Sequence, residues 1–485
     1  MKYLNVLTVL VLIVLCLPFS YTQPFKGQKQ LIEKRVTGNY EMNLMLTGES
    51  STEKVKVFFS GGTALGKRAY LAISADELKV IRETNTDTQT WKTYDNIGTP
   101  PWNVKVLKKG NFFRFWVNNT TGWIRGPLGE WENVYEPMDN GLGVETPVGI
   151  RLQSWTVTTL PWLQEITKPA ISRGLKGSFY EKQIIPGAII AYDGLYYMYV
   201  MAGMAGEEEG SSRRSIGVAV SSDLKQWKVH PEPLISYRDT PYDNLYVSGA
   251  VVTDAGRVAI MFSAQKFPEW QGFMLATAEH PMGPFTQYAD NPVYKHFTHA
   301  HEFDLIRTEG LPHRYLLFYA GFTPEPQHGL AGDRGYLLYN DDLMNWHPDE
   351  RNPVFGPGTL DNWDAIHVRP RSLNKVGDTW YLWYEGCNTW KPEGVSHHGW
   401  WDTVGLARSK DFVNWEYYPR NPALPGLGIS TDQFDSNWVG WPRMYIKDGV
   451  GYVFYTGNAQ VGLRTIPLED LTNWQTEGGE TLDLL

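Results

Sequence analysis

In the stretch KHFTHAHEFDLIRTEGLPHRYLLFYAG, Lys295 to Gly321, ionisable residues crowd the entrance of what reads as a buried strand. The second half, apolar and aromatic beyond a Gly-Leu-Pro turn, reads as part of a β-hairpin buried on both faces. Burying charge is costly unless it is paired or used, so His299, His301, Glu302 and Asp304 are the first candidates for chemistry. Glu302 and Asp304 are two positions apart, which on a regular strand points both carboxyls to one side, about 7 Å apart. Two groups on one strand cannot easily flank a bond, so a partner for Glu302 is expected from elsewhere. Asp304, deeper in the strand, is expected to orient that partner or raise its pKa. The plainer reading is that both carboxylates tie down loops through backbone amides. His299 and His301 alternate onto one face and, with His367, could hold a metal or a structural ion. No close set of Cys or carboxylates accompanies them, so hydrogen bonding to ligand hydroxyls is the expectation, with imidazole as a general acid a further option. No metal or cofactor is assigned.

The elements that must position these groups follow from the rest of the chain. Its 485 residues lean towards two or more domains, and 20 Trp and 27 Tyr give ample core with aromatics left over for flat, hydroxylated ligands. A net charge of -9 argues against nucleic acid as partner. Residues 1–22 carry Lys2, an apolar run from Val6 to Leu17 and then small and polar residues, a secretory signal too short to span a bilayer. The expectation is a secreted or periplasmic protein with no membrane span, keeping Cys387 alone and therefore without an internal disulfide.

Residues 36–165 show short alternating runs broken by Gly, Asn and Ser, with no helical period, which predicts an all-β domain. Segments such as NVKVLKKGNFFRFWVNNTTGW, from Asn103, resemble the back-to-back strands of concanavalin-like β-sandwiches, or jelly rolls. Residues 166–178, around TKPAISRG, read as a linker.

Residues 179–485 repeat five times. IGVAVSSDLKQWKVHPEPLI begins at Ile216, and its counterparts begin at Gly272, Gly335, Val404 and Val461; each is a strand, a Ser/Asp-rich turn, and an aromatic opening the next strand, namely Trp227, Phe285, Trp346, Trp415 and Trp474. Before each copy runs an inner strand, a Gly turn and an apolar strand, as in IPGAIIAYDGLYYMYVMAG and RPRSLNKVGDTWYLWYEG. Four strands per repeat make a propeller blade, and blades close radially to hide their edges. The expected fold is all-β, a five-bladed β-propeller preceded by a β-sandwich.

The Gly-turn hairpins, S-D-x-x-x-W turns and NPV ends resemble the five-bladed propeller glycosidases of families 32, 43, 62, 117 and 130. The resemblance implies that inner strands open on one face of a central funnel. In register, Pro186, Ser248, Glu302, Pro370 and Pro442 are equivalent, so Glu181, Asp243, His299, His301, Glu302, Asp304, Asp364, His367, Arg369, Arg371, Asp435, Trp438, Trp441 and Arg443 should line the funnel. It also implies a catalytic Asp before the first blade's Pro, where this chain has Ile185, an Asp where it has His301, and a Glu where it has Val368. The family's catalytic residues thus do not carry over one by one, and any activity needs another constellation.

Glycoside hydrolysis requires one carboxylic acid and one carboxylate. Glu302 combined with Asp243, Glu181 or Asp364, and assisted by Asp304 and His301, is the catalytic expectation. Glu181, His299, His367, Arg369, Arg371, Arg443, Trp441, Trp400 and Arg214 are expected to bind substrate. The guanidiniums suit an acidic or sulfated sugar if two or more converge, unless each is answered by a neighbouring carboxylate. The loop from Asn388 to Thr403, with Trp390, Trp400 and Trp401, offers stacking surface, and Glu207 to Arg214 reads as a polar lid. The functional expectation is a secreted, exo-acting glycoside hydrolase on plant or algal oligosaccharides. The competing reading is a noncatalytic glycan-binding propeller, and a phosphorylase is a third.

Overall fold

The computed structural model describes residues 30–483 apart from 37–38, 50–52, 61–66, 85–87, 110–111, 126–139, 161–167, 204–212, 297–299, 310, 328–329, 358–362, 388–402, 426–438 and 475–480. Strand dominates it, because short β-rich runs alternate with Gly, Asn and Asp turns throughout.

The N-terminal part forms two six-stranded sheets. Alternation along Tyr40, Met42, Leu44 and Leu46, and along Trp102, Val104 and Val106, turns one face of one sheet inward. These side chains meet Val57, Leu71 and Val80 of the other sheet in one core. The first strand, Gln30–Val36, begins before the boundary expected at residue 36 and pairs with Asn140–Thr146. Thr481–Asp483, expected in the propeller, instead adds an edge strand along Ile150–Leu160.

Five blades follow. Their inner strands are Gln183–Tyr192, Asn244–Val252, Ala300–Arg307, His367–Val376 and Val439–Lys447. Each inner strand packs on the next, and the fifth packs on the first, which closes the ring. The segment expected as linker takes part in closure: the amide and carbonyl of Ile171 exchange hydrogen bonds with Val461 in blade 5, at 3.1 and 3.0 Å.

Local hydrogen bonding explains why the repeats are readable. In blade 1, Ser221 Oγ accepts from the Leu224 amide at 2.9 Å, Asp223 accepts from the amides of Lys225 and Gln226 at 2.8 Å, and Trp227 Nε1 donates to Leu224 O at 3.1 Å. Ser409, Asp411 and Trp415 repeat this in blade 4, and Asn340, Asp342 and Trp346 in blade 3. The Asn of each NP end clamps a third strand through both amide groups: Asn291 on Leu275, Asn352 on Leu337, Asn421 on Leu406.

The N-terminal part docks on blade 4. Lys109 Nζ donates to the carbonyls of Arg420 and Pro422 at 2.7 and 3.0 Å, and Arg420 pairs with Glu41 at 3.0 Å.

Candidate active site

All five inner strands lose register at corresponding points: between Pro186 and Ile189, Val247 and Gly249, His301 and Phe303, Pro370 and Ser372, Gly440 and Arg443. A bulge re-aims the residue it carries. In blades 3 to 5 the bulged positions include Glu302, Arg371 and Trp441. Glu302 and Trp441 also adopt φ of 41° and 53°, a left-handed conformation that costs a bulky residue energy and is held only by its surroundings. The bulge also breaks the alternation on which the common facing of Glu302 and Asp304 was expected, so the two carboxyls have different partners.

Glu302 is buried and faces two guanidiniums of blade 4, with Oε1 3.2 Å from Arg371 Nη1 and Oε2 3.9 Å from Arg369 Nη1. Arg371 passes on to Glu385, and its guanidinium carbon lies 3.8 Å from the Trp441 ring centroid. The Trp441 amide donates to Glu385, so one carboxylate fixes both the indole and the guanidinium stacked on it. Arg369 Nε donates to Asp333 at 2.6 Å, and Asp333 also meets His367 Nδ1 at 3.0 Å. Burial pulls against the charge of Arg369, but Asp333 and Glu302 outweigh it and raise its pKa. Burial lowers the pKa of His367, with Asp333 opposing.

Asp304 accepts from the Leu373 amide at 2.8 Å and lies 3.9 Å from Arg443. Burial pushes its carboxyl up to about 6 despite Arg443. Burial likewise brings Arg443 down to about 10, with Asp304 opposing. The side chain of Asp304 keeps 18 % exposure, that of Arg443 4 %.

Other expected residues lie apart from this cluster. Glu181 accepts from the Gly177 amide at 2.6 Å and Asp243 from the Phe267 amide at 2.9 Å, so both secure turns. Asp364 is buried with Tyr384, whose hydroxyl donates to it at 2.8 Å, and burial raises its pKa; its charged neighbours are Arg114 of the N-terminal part and Arg334. Arg214 donates to Tyr246 Oη at 2.6 Å, and Tyr246 stacks on Trp441 at 6.1 Å, which ties this arginine to the edge of the cluster. His299, Asp435, Trp438 and the loop with Trp390, Trp400 and Trp401 lie outside the described residues, as does most of the expected lid. His301 is described only as backbone, paired with Ala320. Among the described residues no group of His, Cys, Asp and Glu is placed to hold a metal ion.

Sequence reasoning missed Glu385 and Asp333. Each is a lone carboxylate in a strand that is otherwise largely buried, TWYLWYEGC and LAGDRGYLLYN, and that isolation was the available signal.

Residues 186–307 match the glycosyl hydrolases family 32 N-terminal domain. The resemblance of the repeats to five-bladed propeller glycoside hydrolases is thereby borne out. Similar solved structures include a glycosyl hydrolase from Bacteroides ovatus, at 15% identity and TM-score 0.48, covering 63% of this chain and 93% of its own. A thermostable family-43 glycoside hydrolase is 15% identical at TM-score 0.44, covering 58% and 88%. A structure titled for the GH130 family of mannoside phosphorylases, described as containing glycoside hydrolases that target beta-1,2 mannosidic linkages in Candida mannan, is 14% identical at TM-score 0.48, covering 64% and 94%. No curated protein matches this chain.

Proposed function

We propose that this chain is an exported glycoside hydrolase that removes an end sugar from an oligosaccharide, with its chemistry on the inner strand of blade 3. The observation that carries this reading is the contrast between two carboxyls of that strand. Glu302 sits against Arg371 and Arg369, which favour its ionised form, whereas burial holds Asp304 towards its protonated form. A carboxylate and a carboxylic acid, kept in opposite protonation states, are what glycosidic bond cleavage needs. Because the bulge turns the two carboxyls to different partners, they are not bound to one side as on a regular strand; Asp304 gives its proton to the leaving oxygen, and Glu302 acts at the anomeric side as base or nucleophile.

Arg369 and Arg371 each have a close carboxylate partner, which supports a neutral sugar over an acidic or sulfated one in the funnel. A site among buried side chains on the propeller axis suits a chain end, hence exo action. The apolar run near the N-terminus supports export, and the common core of the two N-terminal sheets supports a β-sandwich.

The noncatalytic reading draws on Ile185 and Val368, both buried where relatives carry carboxylates. Sugar release from a panel of neutral and acidic oligosaccharides, run with wild type and Glu302→Gln, decides between them. Release by the wild type, reduced about 10²–10⁴-fold in the variant, is expected. Binding without release by either protein would establish a glycan-binding propeller.

A further inference from the structure

Resting on the carbohydrate reading of the funnel, we propose that a cleft at the rim of blades 1 and 2 is a second sugar subsite, taking a neutral glycosyl unit further along the same oligosaccharide. The cleft has a volume of about 680 Å³ and is lined by Phe179, Arg213, Glu232, Tyr237, Arg238 and Asp239, among others. That volume lies within the range of small-ligand clefts, about 300–1,000 Å³.

Its wall is held in place by local bonding. The Ile216 amide donates to Ile235 O at 2.9 Å, which pins the segment between the two blades to the third strand of blade 1. The Tyr237 amide donates to Ser215 Oγ at 3.3 Å, and Ser236 Oγ accepts from the Arg238 amide at 3.2 Å. Tyr237 is buried, and the guanidinium carbons of Arg213 and Arg238 lie 5.9 and 5.1 Å from its ring centroid. Both arginines are exposed and are therefore presented, not folded into the core.

Guanidiniums only donate and carboxylates only accept. Arg213 and Arg238 together with Glu232 and Asp239 give a balanced set, which matches sugar hydroxyls that do both and favours a neutral ring over an anion. The segment that lines the cleft with Arg213 also reaches the edge of the funnel. Arg214, next in sequence to Arg213, bonds Tyr246, which stacks on Trp441, the indole beneath Arg371.

Titration calorimetry on the Glu302→Gln protein, whose turnover is expected to be about 10²–10⁴-fold reduced, tests this with neutral gluco-, manno- and xylo-oligosaccharides of two and four units. The four-unit ligand of the series that binds is expected to bind about tenfold tighter than its two-unit counterpart. Arg213→Ala with Arg238→Ala is expected to erase that advantage, and Arg213→Lys with Arg238→Lys to restore part of it. Equal affinity at both lengths, or a length advantage that survives the double alanine change, overturns the subsite while leaving the funnel reading intact. No binding in any neutral series, with binding to uronate or sulfated tetrasaccharides, overturns the neutral class; no binding to any sugar overturns the funnel reading as well.

Discussion

Blades 1 and 2 and blades 3 to 5 share one backbone device and put it to different uses. Every inner strand bulges at the same level, yet in blades 1 and 2 the bulge is surrounded by Ile185, Leu245 and Val247, which pack into an apolar cluster. In blades 3 to 5 the same level carries Glu302, Arg369, Arg371 and Arg443, with Glu385 behind them. The propeller therefore supplies position, and side-chain choice at the bulge supplies chemistry. Related glycosidases are expected to put a carboxylate in blade 1, whereas here the charge is gathered in the opposite half. Trp441 is the seam: it packs in the apolar cluster of blades 1 and 2 and carries Arg371 on its ring.

The largest effect should come from unpairing the charged half. Arg371→Met keeps the bulk of the side chain but leaves Glu302 and Glu385 buried without the guanidinium they share. Removing one partner of a buried ion pair costs about 3–5 kcal/mol, because the remaining charge is not resolvated. Urea unfolding followed by tryptophan fluorescence reads this directly. A loss under about 1 kcal/mol would mean that water or the second arginine, Arg369, already serves both carboxylates, and the contrast between the halves would be weaker than drawn.

A pH dependence should follow from Asp304. Its carboxyl moves from an ordinary 3.8 to about 6 in the folded protein. The folded state then holds the proton more tightly than the unfolded chain, so stability declines as pH rises from about 4 to about 6, by about 3 kcal/mol in all. Below about pH 4 both states are protonated and the penalty vanishes. Asp304→Asn should flatten this slope in unfolding measured across the same window. If Asp304 is the proton donor, sugar release should also fall above about pH 6 in the wild type. A slope that survives in the variant would assign the titration to another group whose carboxyl burial also raises, with Asp364 beside Tyr384 the first to examine.

How much of this was legible in the sequence depends on the range over which each feature is determined. The Ser/Asp–Trp turns and Asn–Pro clamps close on themselves within a few or about fifteen residues, so they leave a repeated local signature and the blades could be counted. Register then gathered Glu302, Arg369, Arg371, Trp441 and Arg443, because equivalent positions in equivalent strands must lie at one level. Glu385 and Asp333 stand on second and third strands, outside that register, and only their partners reveal them. Asp243 and Glu181 stand just before their inner strands and are satisfied by nearby amides, a competition that residue type alone does not show. The pairings of Ile171 with Val461 and of Thr481–Asp483 with Ile150–Leu160 join residues hundreds of positions apart, and nothing local announces them.

The smallest effect belongs to the apolar half. Ile185 is 2 % exposed and shares its cluster with Tyr199, Leu245, Val247 and Trp441. Ile185→Val removes one methylene from a packed site, which costs about 0.5–1.5 kcal/mol through lost burial and a small cavity. If blade 1 serves only as packing, sugar release should stay within about twofold of wild type while the unfolding midpoint drops. The arrangement also allows a sharper outcome. The missing methylene lies in the cluster that seats Trp441, and Trp441 holds Arg371 through its ring and Glu385 through its amide. A fall in turnover well beyond twofold with this modest loss of stability would show that the apolar blades set the position of the charged ones, and the two halves would then act as one site.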